Sequence, residues 1–247
     1  RNDGQIKSTG EKMWNRAKKV IGGGNMLLSK RPDMHLPGNW PTYYQRSTGC
    51  LVYDLDGKEY KDVYLMGVGT NILGYANEKV DIKVKDVVMS GNMSTLNCPE
   101  EVLLAEKLVN MHPWSDKIRF ARTGGEANAI AIRLARAYTG KNKVGICGYH
   151  GWHDWYLATN IEREDGLAQH LLPGLSPLGV PKSLGGTVIP FNFNDIDAIK
   201  SIIENGDMAA IKMEVERNVK PKQEFLECVR ELCTKNNIIL IFDECTS

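Results

Sequence analysis

Apolar positions fall into two alternating patterns along the second half of the chain. Val144–Cys147, Met208–Glu214 and Ile238–Phe242 are short, nearly continuous apolar runs. Such runs are too short for helices and suit strands buried on both faces. Between them, apolar residues recur at three- and four-residue spacing. Glu126–Tyr138 carries Ile130, Leu134 and Ala137, the next segment carries Ile196, Ile199 and Ile203, and a third spans Phe225–Cys233. These are helical stripes, and Gly140 and Gly206 stand where the first two should stop. Pro99 with Glu100 and Glu101 opens another helix, with Leu104, Leu108 and Met111 on one face. Ile118–Ala121 reads as a further short strand. Strands alternating with helices predict an α/β fold: a three-layer, mostly parallel sheet with helices on both faces.

The first part of the chain reads differently. A short helical pattern surrounds Trp14, Ala17, Val20 and Ile21, and Gly22-Gly23-Gly24-Asn25 breaks it. Cys50–Leu55 and Lys58–Met66 are strand-like and flank Asp56-Gly57, a hairpin signal. The expected organisation is an arm, glycine-rich loop and hairpin over residues 1–74, then a large α/β domain over 75–247. Residues 157–187 form a long excursion punctuated by glycine and proline.

Composition narrows the class of function. The 247 residues are 42% hydrophobic and 25% charged, as in ordinary globular proteins. A formal net charge of +1 gives no electrostatic case for nucleic acid or an anionic membrane. No apolar run approaches the roughly 20 residues of a spanning helix. The six cysteines form no CxxC pair and no disulfide framework. That usage points to a reducing, cytoplasmic compartment. The chain starts at Arg1 and ends just after a buried-strand pattern, as a piece of a longer polypeptide would.

Three clusters carry candidate chemistry. Thr123-Gly124-Gly125-Glu126 follows a strand and opens a helix, with Thr at the N-cap and Glu three residues on. Two glycines at a helix N-terminus let backbone N–H groups cradle a phosphate; a plain helix cap after a tight turn is the other reading. Tyr149-His150-Gly151-Trp152-His153 follows the next strand, at the end where parallel sheets bind ligands. Tyr149 can stack on a planar group there, or simply pack as a loop aromatic. His150 and His153 lack a third ligand nearby, and no metal is assigned. Asp243 ends the last apolar run, where a carboxylate needs a partner such as a ring cation, a turn or a metal. Glu214, Arg217 and Asn218 occupy the preceding strand end.

Together these residues resemble the class III aminotransferases of the fold type I pyridoxal-phosphate family, closest to the glutamate-1-semialdehyde aminomutase branch. The likeness runs from about Gly22 to Ser247 and is most specific over Phe120–His150 and Leu240–Glu244. It implies pyridoxal 5'-phosphate as cofactor, with Thr123, Gly124 and Gly125 at the phosphate. It places Tyr149 on the ring, His150 beside it and Asp243 on the pyridine nitrogen. It adds Glu214, Asn218 and Cys245 to the cofactor site. It further implies a small amino or keto substrate and a homodimer with sites at the interface.

The sequence departs from the family at several points. Val215 replaces the proline of a Glu-Pro pair, Cys245 a valine, Met26 a serine, and Val68 stands near a family tryptophan. These leave transaminase and aminomutase both open. The lysine that links the cofactor covalently is expected beyond Ser247. A truncated, non-catalytic member of the same fold, acting as a cofactor-binding or partner subunit, is the alternative. A dinucleotide-binding oxidoreductase would also alternate strands and helices, but the glycine fingerprint is absent.

Overall fold

The computed structural model describes residues 8–246 apart from 65, 164, 169, 171–174 and 217, so Arg217 and Ser247 lie outside the described residues. The chain divides into two compact units, Arg1–Leu104 and Ala105–Ser247.

The first unit opens with α1 (Thr9–Val20), capped by Ser8, whose Oγ accepts the Glu11 N–H at 3.1 Å. The Asp56 carboxylate accepts the Thr9 N–H at 2.9 Å and also takes its hydroxyl. A negative charge there complements the helix dipole. Three strands follow, β1 (Tyr44–Thr48), β2 (Leu51–Asp54) and β3 (Glu59–Lys61), in an antiparallel sheet of that order. The hairpin predicted around Asp56-Gly57 is β2–β3. Gly57 sits at φ 83°, and Asp54 Oδ1 accepts the N–H groups of Asp56 and Lys58, both at 2.9 Å. The second arm of the hairpin stops at Lys61, short of the expected Met66. β1 has no apolar alternation to announce it, because its polar residues are mostly exposed. Two helices follow, α2 (Glu78–Met89) and α3 (Pro99–Met111), the second of which runs across the boundary between the units at Leu104. The Leu104–Leu108–Met111 stripe on α3 does not enter the core: Leu104 and Met111 are exposed.

The second unit holds α4 (Gly124–Thr139), β4 (Lys143–Cys147), two single-turn helices α5 (Asp154–Leu157) and α6 (Thr159–Glu162), and β5 (Val188–Pro190). It continues through α7 (Ile196–Glu204), β6 (Met208–Glu214), α8 (Phe225–Lys235) and β7 (Ile239–Asp243). The four strands form an all-parallel sheet of order β5-β4-β6-β7. Side-chain alternation assigns the two faces. Cys147, Ile211 and Met213 pack with Ile199 and Ile202 of α7 and Val229 and Cys233 of α8. Val144, Ile146 and Ala210 pack with Ile132 and Ala135 of α4 and Trp155 and Tyr156 of α5. The sheet is thus sandwiched between helices, as the pattern predicts.

Two expectations fail locally. Ile118–Ala121 forms no strand: Ile118 and Phe120 alternate correctly, but among the described residues no neighbour offers a ladder. The buried stripe of α4 is Ile132 and Ala135, with Leu134 60% exposed and Ala137 also exposed, so the helix is rotated from its expected face.

Candidate active site

Strand ends and one helix start bring Thr123, Gly124, Gly125, Tyr149, His150, Glu214 and Asp243 to the α4 side of the sheet. Thr123 is the N-cap of α4, extended at φ −137° and ψ 157°, and its Oγ1 accepts the Glu126 N–H at 3.1 Å. Glu126 reaches back one residue further than a standard capping box, accepting the Arg122 N–H at 2.9 Å. Gly124 and Gly125 form the first turn, whose N–H groups have no acceptor within the helix. A Cβ on Gly125 would come 2.8 Å from His153 Nε2, and one on Gly151 would come 3.4 Å from the Gly125 Cα. The loop after β4 therefore lies directly against the start of α4, and Gly125 permits that approach.

Asp243, at the carboxyl end of β7, is the centre of the cluster. Its Oδ2 receives three donors: Asn128 Nδ2 at 3.2 Å, His150 Nδ1 at 3.0 Å and Lys212 Nζ at 3.1 Å. Its Oδ1 accepts the backbone N–H of Cys245 at 3.2 Å. Burial alone would raise the pKa of Asp243, but the His150 hydrogen bond and the Lys212 charge overcome it and hold the carboxyl far below its usual range. Asp243 is therefore an anion throughout the physiological range.

His150 lies beneath this carboxylate rather than in an open site. Its ring is buried, with Nε2 3.0 Å from the Cys147 carbonyl and Nδ1 on Asp243. Burial lowers its pKa, and Asp243 opposes that shift. Burial, with Glu214 nearby, pushes the Cys147 thiol up to about 12, so the carbonyl of Cys147 contributes to the site while its sulfur stays protonated.

Tyr149 is partly buried, with its ring edge-on to Tyr156 at 6.1 Å, and its N–H reaches Glu214 Oε2 at 3.4 Å. Glu214 is buried at the end of β6, and its Oε1 accepts the Thr246 hydroxyl at 3.1 Å. It thereby fastens the segments after β4 and β7 to β6. Asn218 and Cys245 are exposed in the segments after β6 and β7. Among the described residues no hydrogen bond joins Asn218 to the Asp243 cluster.

At the level of sequence, none of Asn128, Lys212 and His170 is assigned to the site, and Lys212 is set aside as a candidate for the covalent lysine because it precedes the wrong strand end. Asn128 Nδ2 bridges the His150 carbonyl, at 3.1 Å, to Asp243. It lies on the same α4 stripe as Ile132, a polar residue on an inward helix face. Lys212 is buried in the middle of an apolar strand, on the same parity as Glu214; a lysine there demands an acidic partner. His170 Nδ1 accepts the Gly148 N–H at 3.1 Å from within the long excursion, where periodicity carries no signal.

Comparison with known proteins follows the same outline. The family profile "Aminotransferase class-III" matches residues 35–247. The chain is 33% identical over 247 residues to 3-aminobutyryl-CoA aminotransferase of Cloacimonas acidaminovorans (strain Evry), covering 95% of this chain and 54% of that protein. It is 38% identical over 215 residues to glutamate-1-semialdehyde 2,1-aminomutase of Methanocaldococcus jannaschii, covering 83% and 49%. An omega-transaminase from Sphaerobacter thermophilus superposes with a TM-score of 0.79 at 27% identity, over 98% of this chain and 56% of that one. The chain spans about half the length of the curated relatives it matches.

Proposed function

Because the chain belongs to the class III aminotransferase family, we propose that it carries the cofactor-pairing part of a pyridoxal-phosphate-dependent enzyme. The proposed reaction moves an amino group between a small amine and a carbonyl compound, as a transaminase or an aminomutase. The hydrogen bonding of Asp243 carries this reading. Three donors occupy Oδ2, while Oδ1 holds one backbone N–H among the described residues. An anionic oxygen with spare lone-pair capacity at a strand end suits one more charged donor, and a protonated pyridine nitrogen is such a donor.

The remaining residues fit the same group. The N–H groups of Gly124 and Gly125 meet the phosphate at the positive end of α4. A Cβ on Gly124 would meet nothing within 4 Å, so an anion can approach that backbone. Tyr149 offers its ring as a stacking face, and Thr123, Glu214, Asn218 and Cys245 complete the proposed set. Bound, the cofactor supplies an electron sink for the carbon that loses its proton. Asp243 keeps the ring nitrogen charged, while His150 and Asn128 fix the carboxylate's orientation. We assign the covalent link and the proton shuttle to no lysine within residues 1–247.

The same reading makes residues 75–247 the cofactor-binding domain and residues 1–74 its arm. It includes a homodimer: α2 and α3 expose Val84, Val88, Leu103 and Met111, apolar surface that a second copy would cover. Cytoplasmic residence fits the free cysteines. Among the described residues no helix is long and apolar enough to cross a membrane.

An absorbance spectrum of the full-length protein, before and after borohydride and paired with intact mass, tests the proposal. A visible band that borohydride fixes as a pyridoxyl adduct is the expected result. A protein that stays colourless and unmodified after added cofactor overturns it.

A further inference from the structure

The lysine at the centre of β6 enters the reading above only as one of three donors to Asp243, with no role of its own. Lys212 lies between Ile211 and Met213, and its side chain is 1% exposed. An apolar residue would fill that position without a partner, whereas an ammonium there costs desolvation unless it is paired. Its pairing is specific: Nζ bonds the same Asp243 oxygen that His150 and Asn128 hold, while the other oxygen accepts the Cys245 N–H and is the one the proposed function offers to the ring nitrogen.

The charged and titratable groups around it come from every neighbouring element. Asp243 faces it from β7 and Glu214 from two residues along β6, while His150 follows β4 and is coupled in turn to His170. Burial draws the Lys212 pKa down, opposed first by Asp243.

We propose that Lys212 is a positioning residue that shares Asp243 with the cofactor's ring nitrogen and so weakens the hold of that carboxylate on the ring proton. The inference rests on the assignment of Asp243 to the ring nitrogen. Two cations on one carboxylate repel each other, so each is held less firmly than it would be alone. Lys212 is unsuited to the covalent link itself. Its nitrogen is committed to the carboxylate that faces the ring nitrogen, and the aldehyde carbon lies on the opposite, para side of a pyridoxal ring.

The experiment titrates two ligands into the full-length protein across pH: pyridoxal phosphate, and its deaza analogue with CH in place of the ring nitrogen. Native protein, Lys212→Met and Lys212→Gln are compared. The expected result is about tenfold tighter pyridoxal phosphate in both variants up to neutral pH, with the pH at which the preference over the analogue disappears shifted about one unit upward. The deaza analogue should bind all three alike. Gln keeps an N–H donor for Asp243 and serves if the Met variant does not fold. Should neither fold, native protein decides. A preference for pyridoxal phosphate over the analogue that fades within the neutral range supports the inference; one that persists to the highest pH the fold tolerates overturns it. Equal responses to both ligands, or none, overturn the inference alone. Failure of native protein to bind either ligand overturns the Asp243 assignment as well.

Discussion

Strand β6 presents a different interior to each side of the sheet. Toward α7 and α8, Ile211 and Met213 meet Ile199, Ile202, Val229 and Cys233 in an unbroken apolar cluster. Toward α4, Ala210 packs on the Ile132 cluster, and then Lys212 and Glu214 follow, tied to Asp243, Tyr149 and Thr246. The first face stabilises by removing apolar area from water, about 25 cal/mol per Å². The second stabilises only while each charge keeps its partner. A strand that could have been apolar on both faces instead carries a desolvated ionic cluster on one, at the end where parallel sheets bind ligands. The apolar half of the core holds the fold, and the ionic half is where the proposed function puts the chemistry.

Substitutions on the two faces should therefore separate stability from binding. Asp243→Ala should be the most damaging, costing about 3–5 kcal/mol because it leaves the Lys212 ammonium buried without its partner. Chemical denaturation measures this. Adding Lys212→Met to that variant should recover most of the stability and none of the cofactor binding. On the opposite face, Ile211→Ala should cost about 2–5 kcal/mol through lost burial and a cavity. Its cofactor affinity per folded molecule should match the native protein's.

A smaller effect comes from pH. Burial holds both His150 and His170 below the ordinary histidine pKa. The unfolded chain then takes up protons first as pH falls. The stability tied to the neutral His170 ring, whose Nδ1 accepts the Gly148 N–H, is thus complete above about pH 6.5 and is lost as pH drops through its folded value. Thermal midpoints should accordingly decline from neutral to mildly acidic solution. His170→Gln should make the decline shallower, because the side-chain oxygen of Gln can accept the Gly148 N–H without titrating. The mildest change is Thr123→Ala, which removes the cap of α4 at a cost of about 1 kcal/mol.

Much of the polar face was legible because its residues sit at ends that the sequence marks. Asp243 follows a continuous apolar run, and Thr123-Gly124-Gly125 carries both cap and turn chemistry. β6 was legible to the residue, from Met208 to Glu214. What the pattern hid depends on long-range register. The contact between Lys212 and Asp243 follows from the parallel pairing of β6 with β7, Glu214 opposite Asp243, which no local window contains. β5 was hidden by its length, three residues ending in Pro190, and α2 by its valine-rich sequence. Ile118–Ala121 shows the opposite failure: a strand pattern is present, but a ladder needs a neighbour.

The most direct test is the dissociation constant of pyridoxal phosphate for the native full-length protein and for Asp243→Asn, with circular dichroism showing that both are folded. If Asp243 pairs with the ring nitrogen as proposed, replacing this anion should weaken binding by about a hundredfold, equivalent to about 2.7 kcal/mol. Inorganic phosphate, for which the proposed site is the α4 N-terminus alone, should bind both proteins equally. Equal affinity of the two proteins for pyridoxal phosphate would contradict the assignment of Asp243 to the ring nitrogen.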